Sequence, residues 1–337
     1  MVYQDPTEPD ITITNGFPVR EQLFLLSLIL ILIFGTAYAP KFLATLSNGG
    51  AEPVEQTDPV LTLPEPVNKS IIKPLSGVEV NAKAAFVWDV AEQRILYSKD
   101  SDMVLPLASI TKLMTALVAY ELVDGGEPVA ISLEAIKQEG SSGFADGEQF
   151  SMKTLSDLTL MSSSNDGAFA LAAAAGSLLS DDPDRGTSAF IEAMNIRAGE
   201  LGLTHTTFFN PTGLDLSTTQ SGSYSTARET TFLMEYILEH YPDILSATQE
   251  GSAVMYNETG SLHEAENTNV IVSDIPNLIG SKTGFTDLAG GNLVVAYDAG
   301  LNRPIIVTVL GSTRNGRFED VKALVAAVAA STEGVTE

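Results

Sequence analysis

The sequence predicts an α+β domain: a sheet built from both ends of the globular body, with a helical lobe inserted between them. Three observations carry this. Two strand-like runs, AAFVWDV at 84–90 and RILYSK at 94–99, are joined by a short turn at AEQ. The next strand-like runs, LIGSKTG, NLVVAYDA and RPIIVTVLGS, come only after Asp274. Between the two groups lie the helix formers SMKTLSDLTLMSSS, NDGAFALAAAAGS, SAFIEAMNIRAGELG and STARETTFLMEYILEHY. A last amphipathic run, RFEDVKALVAAVAAS, closes the body, which spans 79–335, and no internal repeat is visible.

Upstream of the body, Gln22–Pro40 is 19 residues without a charge, bounded by Glu21 and Lys41. A bilayer-spanning helix needs roughly 17–25 such residues. A cleaved signal peptide competes, since AYA at 37–39 resembles a small-x-small cleavage site. Pro40 would then follow the cut, and residues 1–21 are acidic rather than basic. We read 22–40 as a retained transmembrane anchor, 1–21 as a cytoplasmic tail, and the globular body as extracytoplasmic. Residues 41–78 hold Pro53, Pro59, Pro64, Pro66 and Pro74 without apolar periodicity. That composition predicts a semi-extended linker.

Bulk composition narrows the function. The chain has 337 residues, 44% of them hydrophobic, enough for a packed core. With 43 acidic against 18 basic residues its net charge is −25, the wrong sign for binding nucleic-acid phosphates. The acidity reads as solubility. The absence of cysteine excludes disulfides and thiolate metal sites.

PLASITKLMTALVAY, residues 106–120, reads as the start of a helix that is apolar on nearly every side, yet carries Lys112. A helix apolar all round is buried, and a buried ammonium without a partner is costly. Ser109 lies three residues earlier, on the same helix face. Burial and the positive end of the helix dipole both disfavour the ammonium. The pair is then an amine base beside a latent nucleophile. The plainer alternative is an N-cap serine and a lysine that snorkels to solvent. Two further patterns weigh on the choice. MSSSNDGA places Ser163 and Asn165 as S-x-N between two helices, where Asn165 or Asp166 would otherwise simply cap a helix. GSKTGFTDLAGG places Lys282, Thr283 and Gly284 at the end of a strand. A phosphate loop is excluded there, because Ser281 stands where that motif needs glycine. The order S-x-x-K, S-x-N, K-T-G is far more specific than any one of the three.

With these motifs the sequence resembles the serine D-alanyl-D-alanine carboxypeptidases of the low-molecular-mass penicillin-binding proteins, the S11 peptidase family. HTTFFNPTGLD at 205–215, YSTARE at 224–229 and SKTGFTDLAGGNLV extend the likeness over about residues 80 to 330. The resemblance implies a DD-peptidase/β-lactamase-like fold, an antiparallel sheet flanked by helices. It implies Ser109 as nucleophile, Lys112 as its base, and Ser163 as proton relay to the leaving amine. Asn165 would orient Lys112 and the substrate amide. Lys282, with Thr283 and Gly284, would hold the terminal carboxylate, and the backbone N–H groups of Ser109 and Phe285 would form the oxyanion hole. The implied substrate is a peptidoglycan stem peptide ending in D-Ala-D-Ala, with β-lactams as covalent inhibitors and no cofactor or metal.

Departures from the family pattern are few. Ser164 stands in the middle of S-x-N where glycine is common, and Phe285 follows K-T-G where some members carry histidine. About 50 residues follow K-T-G, which leaves no length here for the C-terminal β domain of many relatives. An N-terminal anchor would take over its tethering. A class A β-lactamase would carry Asp at 164 and an E-x-x-L-N stretch, neither of which is present. A D,D-endopeptidase and a catalytically weak cell-wall sensor share the motifs and stay open. A Ser-His-Asp hydrolase lacks its G-x-S-x-G elbow, and His205 reads as structural.

Overall fold

The computed structural model describes residues 74–140 and 142–333. The expected tail, apolar span and all of the linker before residue 74 lie outside them. No helix among the described residues is long and apolar enough to cross a membrane.

In chain order, β1 (Ala84–Asp89) and β2 (Arg94–Lys99) form a hairpin, and the short β3 (Leu105–Pro106) leads into a 3₁₀ turn, Ala108–Thr111. Helix α1 (Lys112–Leu122) follows directly, then β4 (Pro128–Ala130) and β5 (Gln149–Ser151). The lobe continues with α2 (Met152–Met161), α3 (Asn165–Ser177) and α4 (Gly186–Glu200). After β6 (Thr207–Phe208) and β7 (Ser223–Ser225) come α5 (Ala227–His240) and a second hairpin, β8 (Ser252–Tyr256) with β9 (Leu262–Glu266). Three long strands, β10 (Leu278–Thr286), β11 (Gly290–Asp298) and β12 (Pro304–Ser312), precede the final helix α6 (Gly316–Glu333).

The main sheet is antiparallel with order β10-β11-β12-β1-β2. Its centre is the pairing of β1 with β12, Ala84 opposite Leu310, so the sheet does join the two ends of the body. Both sheet faces are covered, which explains why β1 is buried at every position. Successive strand residues point to opposite faces. Phe86, Trp88, Val294, Ala296 and Ile306 enter the core shared with α1, α4 and α5. Their neighbours Val87, Leu293, Val295, Ile305 and Val307 meet Val321, Leu324 and Val328 of α6. A third core joins α2 and α3 to the β8–β9 hairpin through Leu155, Leu158, Leu171 and Ala265.

Two expectations are corrected. Ser164, rather than Asn165 or Asp166, caps α3: its hydroxyl accepts from the Gly167 N–H at 2.9 Å. The K-T-G triplet lies inside β10, which runs on to Thr286, and not at the strand's end. The β8–β9 hairpin carries no clear signal in the sequence, because His and Glu interrupt the apolar residues of β9. Strand β10 ends the sheet, so its outer edge is unpaired within it and faces the inserted lobe.

Candidate active site

The first eight residues of α1, Lys112–Ala119, are all buried, as expected of a helix that is apolar all round. Ser109 lies just before α1, in the 3₁₀ turn, rather than in an α-helical first turn. Ala108 is held at φ +49°, a conformation that costs a non-glycine residue energy. The surroundings enforce it. Gly213, at φ +80°, packs so closely that a Cβ there would lie 1.9 Å from the Ala108 carbonyl oxygen. From the other side, Asn292 donates to the carbonyls of Pro106 at 2.9 Å and Leu107 at 3.0 Å.

Within this clamp Lys112 is fully buried. Its Nζ lies 2.9 Å from Ser109 Oγ, 2.7 Å from Asn165 Oδ1 and 2.8 Å from the Thr212 carbonyl oxygen. Burial brings the Lys112 ammonium down to about 7 from the usual 10.5. Desolvation is the cause. Lys282 is likewise pushed well below its usual value by burial, then by the charges of Lys112 and Arg317.

Ser163 turns the chain between α2 and α3 at φ +62°. Its hydroxyl accepts from Lys282 Nζ at 2.9 Å, and Lys282 also donates to the Thr283 carbonyl at 3.0 Å. The Thr283 hydroxyl meets Thr268 Oγ1 at 2.6 Å. At Gly284 an added Cβ would lie 2.7 Å from the Leu107 carbonyl oxygen and 3.2 Å from the Ser109 nitrogen. Glycine is what lets β10 approach the Ser109 turn this closely. Phe285 lies next along the strand, under the Arg314 guanidinium 3.8 Å from its ring centre. All eight residues singled out in the sequence thus gather around one cleft between β10, α1 and the S-x-N turn.

Sequence reasoning missed the groups that complete it. Thr212 supplies a backbone carbonyl, held in place by Asn210. The Asn210 Oδ1 accepts from the N–H groups of Thr212 (3.2 Å) and Gly213 (2.7 Å), and its Nδ2 donates to Leu214 O at 2.9 Å. These residues lie in the NPTGLD part of the family-like run at 205–215. Arg317, at the start of α6, donates to the Gly284 carbonyl at 2.6 Å and adds a buried cation near Lys282. Glu139 offers its carbonyl to Asn165 Nδ2 at 2.6 Å, which fixes the amide's orientation. Nothing local in the sequence marks these contacts, because they depend on tertiary placement. His205 is bonded to Glu229 at 2.9 Å, away from the cleft, as a structural residue should be.

A hydroxyl beside a buried amine brought down to about 7, a second hydroxyl and buried cations are the groups that serine acyl transfer without histidine would need. Residues 69–314 match the peptidase S11 family, D-alanyl-D-alanine carboxypeptidase, and the chain belongs to that family. A D-alanyl-D-alanine endopeptidase of Escherichia coli (strain K12) is 35% identical over 240 residues, covering 70% of this chain and 73% of that protein. The D-alanyl-D-alanine carboxypeptidase DacF of Bacillus subtilis (strain 168) is 31% identical over 255 residues, covering 74% of this chain and 62% of that protein. Penicillin-binding protein D2 from Listeria monocytogenes, in its ampicillin-bound form, superposes with a TM-score of 0.61 at 28% identity. That likeness covers 75% of this chain and 99% of the Listeria one.

Proposed function

We propose that this serine D-Ala-D-Ala carboxypeptidase removes the terminal D-Ala of peptidoglycan stem peptides through an acyl-enzyme on Ser109. The observation that carries the assignment of roles is the Lys112–Ser109 contact at 2.9 Å beside two fixed acceptors. Neutral Lys112 takes the Ser109 proton, and Oγ attacks the carbonyl of the D-Ala-D-Ala bond. The N–H groups of Ser109 and Phe285 receive the oxyanion. Ser163, bonded to Lys282, passes a proton to the leaving amine. Lys282, Thr283 and Gly284 form the carboxylate site, since a fixed cation suits a terminal carboxylate. Asn165 keeps Lys112 oriented and faces the substrate amide. Water then hydrolyses the ester, and no cofactor enters the scheme. β-Lactams acylate the same hydroxyl.

The charge-free span at 22–40 and the Pro-rich linker support an enzyme tethered to the cytoplasmic membrane, with its body on the cell-wall side. Finding the C-terminal domain only in the cytoplasm would overturn that placement.

A second reading has an observation of its own. The Escherichia coli relative at 35% identity, and one from Pseudomonas aeruginosa at 36%, are D-alanyl-D-alanine endopeptidases. The same machinery would then cut peptide cross-links. The deciding experiment labels the body with a fluorescent penicillin beside Ser109→Ala, and follows D-Ala release from a pentapeptide and cleavage of a cross-linked dimer. Labelling that depends on Ser109, with D-Ala released, supports the carboxypeptidase. Cleavage of the dimer alone establishes the endopeptidase, and no labelling of the folded wild type removes both.

A further inference from the structure

A cavity of about 520 Å³ opens where the β1–β2 turn meets α5 and the end of α4. Val90, Leu201 and Phe232 give it apolar walls, and Gln93, Glu235, Tyr236 and Glu239 give it polar groups. Sheet register sets its distance from the catalytic cleft. Lys282 is level with Val294, Thr308 and then Phe86, three strands away. Val90 lies four residues beyond Phe86, so strand spacing and rise put the cavity on the order of 20 Å from Lys282. It is therefore separate from the cleft that holds Ser109.

Glu235 is the unusual member of this set. It is only 9% exposed, and a glutamate buried this deeply is ordinarily paired with a cation. Here its Oε1 accepts from the Trp88 indole N–H at 3.0 Å and from Gln93 Nε2 at 2.6 Å, both neutral donors. Its Oε2 makes no hydrogen bond or ion pair among the described residues. No Lys or Arg lines the cavity. Arg197 is committed to Glu121, Glu200 and the Tyr236 hydroxyl, and Arg94 lies 3.7 Å from Asp89. Glu239 follows Glu235 by one turn on the same face of α5 and brings a second carboxylate, also without a hydrogen bond or ion pair among the described residues. The opposite wall is fixed. Gln93 is held at φ +47°, and its Nε2 also donates to the Val90 carbonyl at 3.1 Å, which leaves its amide oxygen as a third acceptor. A deep carboxylate, a second at the rim, an amide oxygen and apolar walls suit a planar cation on an aliphatic arm. A guanidinium meets this better than an ammonium, because its fork of N–H donors bonds several acceptors at once and it is more weakly hydrated.

We propose that this cavity binds an alkylguanidinium, its head group paired with Glu235 and Glu239 and its arm lying along Val90, Leu201 and Phe232. The proposal goes beyond the peptidase reading and does not depend on it. The chain carries its own reporter, because Trp88 is its only tryptophan and donates its indole N–H to Glu235. The test titrates the full chain, isotope-labelled at the tryptophan nitrogen, with n-butylguanidinium and with its uncharged isostere N-butylurea, and follows the Trp88 indole resonance. The guanidinium should shift that resonance to saturation with a Kd on the order of 1 mM, and the urea should bind about ten-fold more weakly or less. Glu235→Gln keeps an acceptor for Trp88 and should weaken guanidinium binding about ten-fold; Glu239→Gln, at the exposed rim, should weaken it about three-fold. The thermal midpoint checks that both variants are folded. A further arm uses the peptide acetyl-Gly-Arg-Gly-amide. Tighter binding than the free cation assigns the head group to an arginine of a polypeptide partner, weaker binding assigns it to a small molecule, and both keep the site. No saturable shift, equal binding of N-butylurea, or an unchanged Kd in folded Glu235→Gln overturns the proposal.

Discussion

Lys112 Nζ lies 2.9 Å from Ser109 Oγ, while Asn165 Oδ1 and the Thr212 carbonyl sit 2.7 Å and 2.8 Å from the same nitrogen. A neutral amine has two N–H bonds and one lone pair. The two oxygens can only accept, so they absorb both hydrogens and leave the lone pair for the serine hydroxyl. The geometry therefore suits the proposed role of Lys112 as base and gives the direction in which it would act.

A pH dependence follows. Lys112 has its folded value at about 7, below the usual 10.5, so the neutral amine accumulates as pH rises through 7. Acylation by a β-lactam should rise along a limb with an apparent pKa near 7, shared with the coupled Lys282. Lys112→Arg, which stays protonated, should lower the rate by about 10²–10⁴-fold and erase the limb. The stability sign is also fixed. The unfolded chain binds the proton more tightly, so the cost of burying Lys112 is complete below pH 7 and is relieved as pH rises towards 10.5. Stopped-flow acylation from pH 5 to 9 is the measurement; a flat profile would rule out Lys112 as the base.

Gly213 offers a sharper structural test. It sits at φ +80°, and a Cβ there would collide with the Ala108 carbonyl oxygen at 1.9 Å and with Thr111 Oγ1 at 2.6 Å. Both belong to the turn that carries Ser109. Gly213→Ala should cost about 2–4 kcal/mol in urea unfolding. It should also slow acylation in the fraction that remains folded, because relief of the clash moves the nucleophile. Gly199→Ala, where an added Cβ meets nothing within 4 Å, is the matched control and should be near neutral or stabilising.

How much of this was legible beforehand divides by the range of the contacts. The β1–β2 hairpin, the helices of the lobe and the return of the chain to the sheet were readable, because periodicity and turn residues act within a few positions. The three motifs were readable because their residue types are costly anywhere else, Lys112 above all. The Thr212 carbonyl was not, since a backbone oxygen leaves no side-chain signature and is placed by Asn210 through folding. Arg317 was hidden for a related reason: on a surface helix it would be unremarkable, and only the packing of α6 brings it to Gly284.

Ser164, the departure from the family's common glycine, acquires a function that can be measured. Its hydroxyl accepts from Gly167 N at 2.9 Å and pairs with the Ser142 hydroxyl. Ser142→Ala removes only the pairing, while Ser164→Ala removes the pairing and the cap, the latter worth about 1 kcal/mol. A double-mutant cycle should return a coupling of about 0.5–1.5 kcal/mol, the range of a buried hydrogen bond. Strictly additive unfolding energies would mean that the two serines do not hold the Ser142 segment to α3.

Asp89 and Arg303 test the sheet apart from the chemistry. Asp89 is fully buried at the end of β1, and its Oδ2 accepts from Nε (3.2 Å) and Nη2 of Arg303, in the turn before β12. Arg94 contributes a weaker third contact at 3.7 Å. Removing the carboxylate takes away the buried acceptor of Arg303 Nε and Nη2, so Asp89→Ala should cost about 3–5 kcal/mol. Arg303→Ala should cost less, because Arg94 stays beside the carboxylate. Replacing both with apolar residues removes the desolvation of the pair as well as its attraction, and should fall below either single loss. Acylation at a temperature where the variants are folded should stay near wild type, since the pair lies outside the catalytic cleft. If Asp89→Ala unfolds no more easily than the double replacement, the pair is a surface-like contact and the β1–β12 junction is held by its apolar core alone.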